Sequence, residues 1–290
     1  MQKQTSTNIG LSGYGVFGSQ FLDYLKQHAP DIRVKYVIEP NRHKRDLLKK
    51  LEYITHESVY DTPHSLLKLT DVIVDCSTRG QGILNKRSYQ ELGLNAIFQN
   101  GEESEGIGSL FYPGVTETEK PPQYTLIPLC SGIAAIKILH AIIASEIAIP
   151  VHVTGYHGKV TNTARMLTMN YGSSNKQIEQ LLGVNARMNV IYLRGEPYNG
   201  IFAYHGNMLI NLDRSVTPKQ IISILKNAPL IKVKSQEIDH LTSPSKTTDT
   251  LVIKESVYVR QNLLQLATIS YTPDVNFPIN LAAIRTYTNH

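Results

Sequence analysis

Apolar positions change their spacing about halfway along the chain. In the first half, short apolar runs alternate with stretches of helical period. A run from Asn8 leads into a helix predicted over Ser19 to Gln27, with Phe21, Leu22 and Leu25 on one face. A strand is predicted over Arg33 to Ile38, and a short helix over Pro63 to Leu69. Asp71 to Asp75 has a fully apolar centre, as in a buried parallel sheet. A helix over Asn85 to Leu92 and a strand over Asn95 to Gln99 follow. The run Tyr124 to Leu129 ends at Cys130, after which Ile133, Ile136, Leu139, Ile142 and Ile143 return at helical spacing. That is strand, sharp turn, helix. The second half instead alternates over long stretches: Val151 to Tyr156, Met188 to Leu193, Gly200 to Leu212, Thr250 to Val259 and Leu263 to Tyr271. These predict a mixed, largely antiparallel sheet with one covered face. Helices are predicted over Lys176 to Leu182 and over Pro218 to Ala228, the latter capped by Thr217. The last helix, Ile279 to Thr288, is expected to return to the first domain.

The pattern implies an α/β first domain over 1–129, joined by a C-terminal helix over 276–290, and an α+β second domain over 130–275. A chain of 290 residues supports two cores. The first domain carries Gly13-Tyr14-Gly15-Val16-Phe17-Gly18, a G-x-G-x-x-G set between a strand and a helix near its start. Gly13 permits a tight turn, Gly15 lets backbone approach a pyrophosphate, and Gly18 lets helix and strand close up. This is a Rossmann dinucleotide-binding reading. Glu39 ends the second strand, where an acid accepts hydrogen bonds from a ribose 2′-OH, so the cofactor is read as NAD. Arg42, His43 and Lys44 leave NADP possible by offering charge to a 2′-phosphate. Thr78, at the carboxyl end of the third strand, is either a cofactor contact or a helix N-cap; Cys76 beside it reads as packing.

Composition narrows the partners. Hydrophobic content of 41% and charged content of 18% are ordinary for a globular protein. No apolar run is long enough for a membrane span, and the N-terminal stretch has no signal-peptide core. Net charge is +5 and the pI is near 9.0. The basic residues are scattered, so a small anionic molecule is expected rather than nucleic acid or a membrane. Two cysteines make no disulfide framework, and a cytoplasmic setting is expected. No metal-ligating set is read.

Cys130 is the candidate nucleophile. A helix entrance carries unpaired N–H groups and a partial positive charge, which favours thiolate over thiol. Such a sulfur attacks an aldehyde or thioester carbonyl. A base is wanted beside it. Of ten histidines, most lie in polar or terminal stretches and His140 reads as packing, which leaves His152, His157 and His205.

Several segments, in order along the chain, resemble the archaeal-type (type II) glyceraldehyde-3-phosphate dehydrogenases. They are the 13–18 glycine motif, Ala96 to Glu102, Val252 to Val259, and Pro273 to Pro278 with Leu281 to Arg285. The resemblance implies NAD(P)-dependent oxidation of a small aldehyde through a cysteine thiohemiacetal and thioester. It also implies association through the catalytic sheet into a homodimer or homotetramer. It assigns Cys130 as nucleophile and His205, within about one residue, as general base. Gly13, Gly15, Val16, Phe17, Gly18, Gly101 and Tyr271 become cofactor contacts, and Glu39 stands where the family often has a lysine that favours NADP. The departures fall at the substrate site. Ser131, Gly132 and Ile133 replace an asparagine and two threonines; Tyr156 and His157 replace paired arginines; the paired histidines of the next loop are missing, near Ser173 to Asn175. Arg194 remains as a possible anion contact. These losses argue against glyceraldehyde 3-phosphate itself. The Cys130-Ser131-Gly132 turn is similar to that of the acylating aldehyde dehydrogenases, so an acyl substrate or an acyl-phosphate or acyl-coenzyme A reductase stays open, as does a non-catalytic nucleotide-binding descendant.

Overall fold

The computed structural model describes residues 7–48, 59–60, 69–99, 104–116, 121–161, 167–170, 172–194, 202–235, 247–272 and 274–287. The chain divides into two compact units, 1–128 with 277–290, and 129–276.

The first unit is built on β1 (Thr7–Ser12), α1 (Val16–His28), β2 (Ile32–Ile38), α2 (Arg42–Leu48), β3 (Val59–Tyr60), β4 (Val72–Asp75), α3 (Gln81–Leu92), β5 (Ala96–Phe98), α4 (Ser104–Ile107), β6 (Ser109–Leu110) and β7 (Tyr124–Leu126). Its sheet runs β3-β2-β1-β4-β5-β7-β6, and every pairing is parallel. Ile9, Leu11, Ile73, Val74, Ile97 and Phe98 are all fully buried, as strands covered on both faces require. Phe21, Leu22 and Leu25 form the buried stripe of α1, each contributing roughly 1.5–3 kcal/mol. The helix starts at Val16 rather than Ser19, so the glycine loop runs directly into its first turn. The helix predicted from Asn85 begins at Gln81, after Gly80 in a left-handed conformation (φ 86°). The predicted helix over 63–69 lies outside the described residues apart from Leu69.

The closing helix, Phe277–Thr286, belongs to this unit. Phe277 sits 5.3 Å from Phe17, 5.5 Å from Phe21 and 5.2 Å from Tyr24, ring centre to ring centre. Asn280 is buried and accepts a hydrogen bond from the Gln99 amide. Beyond the helix, the Tyr287 hydroxyl donates to the Pro122 carbonyl at 2.7 Å.

The second unit contains α5 (Cys130–Ala144), β8 (Pro150–Thr161), β9 (Leu167–Asn170), α6 (Gly172–Leu182), β10 (Asn185–Arg194), β11 (Phe202–Leu212), α7 (Pro218–Asn227), β12 (Ile231–Lys234), β13 (Thr250–Ile253), β14 (Tyr258–Arg260) and β15 (Leu263–Thr272); the closing helix is α8. Its eight-stranded sheet runs β12-β13-β15-β11-β8-β10-β9, with β14 on β15. β8 pairs with β10, and β12 with β13, in parallel; the remaining pairs are antiparallel. The alternating stretch over 250–259 is two strands, because a turn at Lys254–Ser256 breaks it. Ser256 fills that turn by donating to the Ile253 carbonyl and accepting from the Ala267 N–H.

The two faces of this sheet are covered to different extents. Val153, Met208, Ile210, Leu264 and Leu266 share one face and have essentially no exposure. α5 lies against the strands that carry them, α6 lies against β10, and α5 itself is buried at every position from Ser131 to Leu139. On the other face Tyr156 is 44% exposed and Tyr258 58%.

Candidate active site

The glycine loop of the first unit is shaped by close backbone approach. Gly13 has φ 91°, and a Cβ there would stand 2.9 Å from the Cys76 carbonyl oxygen. A Cβ on Gly18 would stand 2.2 Å from the Gly13 carbonyl oxygen. Gly15 has nothing within 4 Å of that position. Two glycines are therefore demanded by packing, and the third leaves room above the start of α1. Open backbone at a helix N-terminus suits a phosphate group, so these residues fit a dinucleotide. Val16 is 60% exposed there, whereas Phe17 turns into the Phe21 and Phe277 cluster. Phe17 therefore leaves only its backbone free to face a cofactor.

Glu39 stands at the tip of β2 and is buried. Its carboxylate accepts from the Tyr14 N–H at 2.7 Å and the Asn41 N–H at 2.9 Å, with the Lys44 ammonium 3.9 Å away. The acid thus braces the glycine loop itself. Asp75, at the end of β4, performs a similar task that sequence reasoning missed. It accepts from the Ser77 N–H and hydroxyl, from the Asn85 amide at 2.8 Å and from the Tyr89 hydroxyl at 2.8 Å. The only sequence signal was a carboxylate closing an apolar strand. Thr78 is exposed and is not the cap of α3; its carbonyl accepts from the Gln81 N–H. Burial and the neighbouring Asp75 push the Cys76 thiol well up, which suits an inert packing cysteine. Gly101 lies outside the described residues.

In the second unit Cys130 is the first residue of α5, free and partly exposed. Its N-cap residue, Leu129, makes no side-chain cap hydrogen bond. The start of α5 is held instead by α6. The Leu129 N–H donates to the Gln177 side-chain oxygen at 2.9 Å, and the Ser131 and Ser174 hydroxyls meet at 2.8 Å. A Cβ on Gly132 would lie 3.3 Å from the Ser174 Cβ, so the glycine permits this approach. Ser131 is buried and engaged with Ser174. That contact braces the start of the helix.

His205 stands on β11. Side chains alternate along a strand, and Tyr204, Met208 and Ile210 occupy the helix-covered side of β11. His205 therefore lies on the other side, away from α5. It is half-buried, and burial alone holds its imidazole below the ordinary value. Tyr271 pairs with Ala203 on that same far face and is buried in a cluster with Leu251 and Ile269. Its hydroxyl meets no partner among the described residues, and burial raises its phenol. A buried ring in that cluster is not offered to a cofactor. Tyr156 is on the far face too. For His157 and Arg194 the structure describes the backbone alone: His157 lies opposite Gly206, and Arg194 ends β10. Among the described residues no group of three His, Cys, Asp or Glu could hold a metal, and no helix is long and apolar enough to cross a membrane.

Comparison with known proteins gives distant but extensive likenesses. No family model matches the chain. The glyceraldehyde-3-phosphate dehydrogenase of Methanothermus fervidus is 24% identical over 82% of this chain and 76% of its own length. That of Saccharolobus islandicus (strain M.16.27) is 23% identical over 97% and 92%. The Methanobacterium bryantii enzyme is 29% identical, but the match spans only 36% of this chain and 35% of that protein. Among solved structures, aspartate semialdehyde dehydrogenase II of Vibrio cholerae, complexed with ASA, superposes with a TM-score of 0.75 over 98% of each chain at 10% identity. The shared fold joins a parallel dinucleotide-type sheet to a mixed second sheet. Over most of its length the chain is thus similar, at 23–24% identity, to glyceraldehyde-3-phosphate dehydrogenases, and it shares its fold with an aspartate semialdehyde dehydrogenase.

Proposed function

We propose that this protein is an NAD-dependent oxidoreductase acting on a small aldehyde through Cys130. The observation that carries the reading is a free, partly exposed cysteine opening a 15-residue helix, in a chain that also bears a sterically enforced glycine loop. The sulfur stands at the positive end of the α5 dipole. The sulfur attacks the aldehyde carbon, the carbonyl oxygen takes the charge as a thiohemiacetal, and loss of hydride from that carbon leaves a thioester. The bound nicotinamide would supply the hydride acceptor. Water, phosphate or coenzyme A then releases the acyl group and frees the sulfur. Gly13, Gly15 and Gly18 shape the pyrophosphate seat, and Glu39 favours NAD because its carboxylate repels a 2′-phosphate. The likeness to glyceraldehyde-3-phosphate and aspartate semialdehyde dehydrogenases supports the substrate class. The far face of the second sheet, with Tyr156, Tyr258 and Leu263 exposed, is a fitting surface for a second copy.

The test is turnover. Purified protein with NAD or NADP, phosphorylated and unphosphorylated aldehydes, and phosphate, coenzyme A or neither should yield reduced cofactor in at least one combination. Cys130→Ser should abolish it and leave NAD binding intact. A second reading, nucleotide binding without turnover, draws support from His205: among the described residues, no imidazole of β11 is on the α5 side. Absence of turnover in every combination, with NAD still bound, would establish it.

A further inference from the structure

Cys130 is held in place by a strut that starts at the central sheet. Asn175 of α6 bonds both ways with the backbone of β10: its amide donates to the Met188 carbonyl at 3.0 Å, and its oxygen accepts the Met188 N–H at 2.9 Å. That anchors α6 by one side. Ser174, Gln177, Ile178 and Leu181, spaced along one helical stripe, are buried. From this stripe Gln177 reaches the Leu129 N–H, the last backbone donor before Cys130. Leu129 has φ −59° and ψ 137° and so stands outside the helix. Its N–H has no place in the α5 ladder, and the Gln177 oxygen satisfies it.

The other half of this amide is informative. Gln177 is 2% exposed, and its side-chain nitrogen has no hydrogen-bond partner among the described residues. A buried, unpaired donor opposes folding. Methionine would fill the same space without it. Glutamate would accept from Leu129 equally well, but would bring a negative charge to the residue before the sulfur. What distinguishes glutamine is an acceptor that is strong and neutral.

Building on the role proposed for Cys130, we propose that Gln177 is a positioning residue for that sulfur. Its amide oxygen fixes the backbone turn at Leu129 without placing a charge that would disfavour the thiolate. The residue touches neither substrate nor cofactor and acts through the Leu129 backbone.

The test follows the thiol directly. Alkylation of Cys130 by iodoacetamide is followed against pH by peptide mass spectrometry, with no substrate present, for the parent, Gln177→Glu and Gln180→Glu. Gln180 is exposed on the same helix and controls for the added charge. A negative charge near a thiol disfavours its thiolate. The Gln177→Glu profile should move up by about one pH unit, with alkylation near neutrality about tenfold slower, while Gln180→Glu matches the parent. Coincident profiles for all three would overturn the proposal. Gln177→Met, which removes the unpaired donor together with the acceptor of the Leu129 N–H, carries a second arm, with its folding checked by urea unfolding. With whichever aldehyde and acceptor turn over, its kcat should fall about tenfold at little change in KM, and an unchanged kcat would also overturn the proposal. Loss of the aldehyde reading itself would show separately, as no turnover in the parent, and the alkylation profiles would still decide the role of Gln177.

Discussion

Lys137 should make the stability of this protein depend on pH in an unusual direction. It lies two helical turns after Cys130, is 1% exposed, and donates to the Thr248 carbonyl at 3.0 Å and the Val275 carbonyl at 3.3 Å. Burial brings its ammonium down to about 7, against a smaller opposing pull from Asp249. Asp249 is itself paired with Lys232 at 2.5 Å. In the unfolded chain a lysine titrates near 10.4. Between about pH 7 and pH 10 the unfolded state therefore holds a proton that the folded state has lost. Stability must rise with pH across that window, and the cost of burying the charge is fully present below it. A shift of roughly three units corresponds to a ceiling of about 4–5 kcal/mol, and relaxation around a buried charge makes about 2–4 kcal/mol the expected span. Lys137→Met keeps the length, removes the titration and forfeits two hydrogen bonds worth about 1 kcal/mol each. The variant should be about 1–2 kcal/mol less stable than the parent at pH 10, and as stable or more so at pH 6. Urea unfolding of both proteins at pH 6, 7, 8, 9 and 10 measures this, and other titrating groups cancel in the difference. A difference that stays constant from pH 6 to pH 10 would mean that the buried amine titrates as an ordinary lysine, and would refute the reasoning.

Three further outcomes follow from geometry. Gly18→Ala forces a Cβ to within 2.2 Å of the Gly13 carbonyl oxygen, and should lower the melting temperature by several degrees or prevent folding. Gly15→Ala meets nothing within 4 Å and should fold like the parent, yet bind NADH at least tenfold more weakly by fluorescence titration; equal affinity would remove Gly15 from the phosphate seat. His205→Asn should leave the alkylation rate of Cys130 at pH 7 within twofold of the parent, whereas a general base acting on that sulfur would be worth about 10²–10⁴-fold; a loss of that size would place the imidazole beside the thiol after all.

Local chemistry carried much of this protein into its sequence. The glycine loop, the parallel strands around it and the cysteine at the head of α5 were legible because each depends on residues within a few positions of one another. Thr217, capping α7 with Gln220 returning the bond, was legible for the same reason. The side of a strand on which a residue stands is different in kind. Resemblance located a histidine to within one residue, and in a strand one residue is the opposite face; only the pairing of β11 with β8 and β15 showed that Tyr204, not His205, faces the helix layer. Contacts between distant positions were likewise invisible: Glu39 bracing Tyr14, Gln99 bonding Asn280, and Gln177 holding the turn before Cys130 each join segments whose separation no periodicity encodes. Pattern and composition settle which elements form and which stripe of each is apolar. Register and docking, decided by the shared burial of many weak contacts at once, settle what each polar side chain meets.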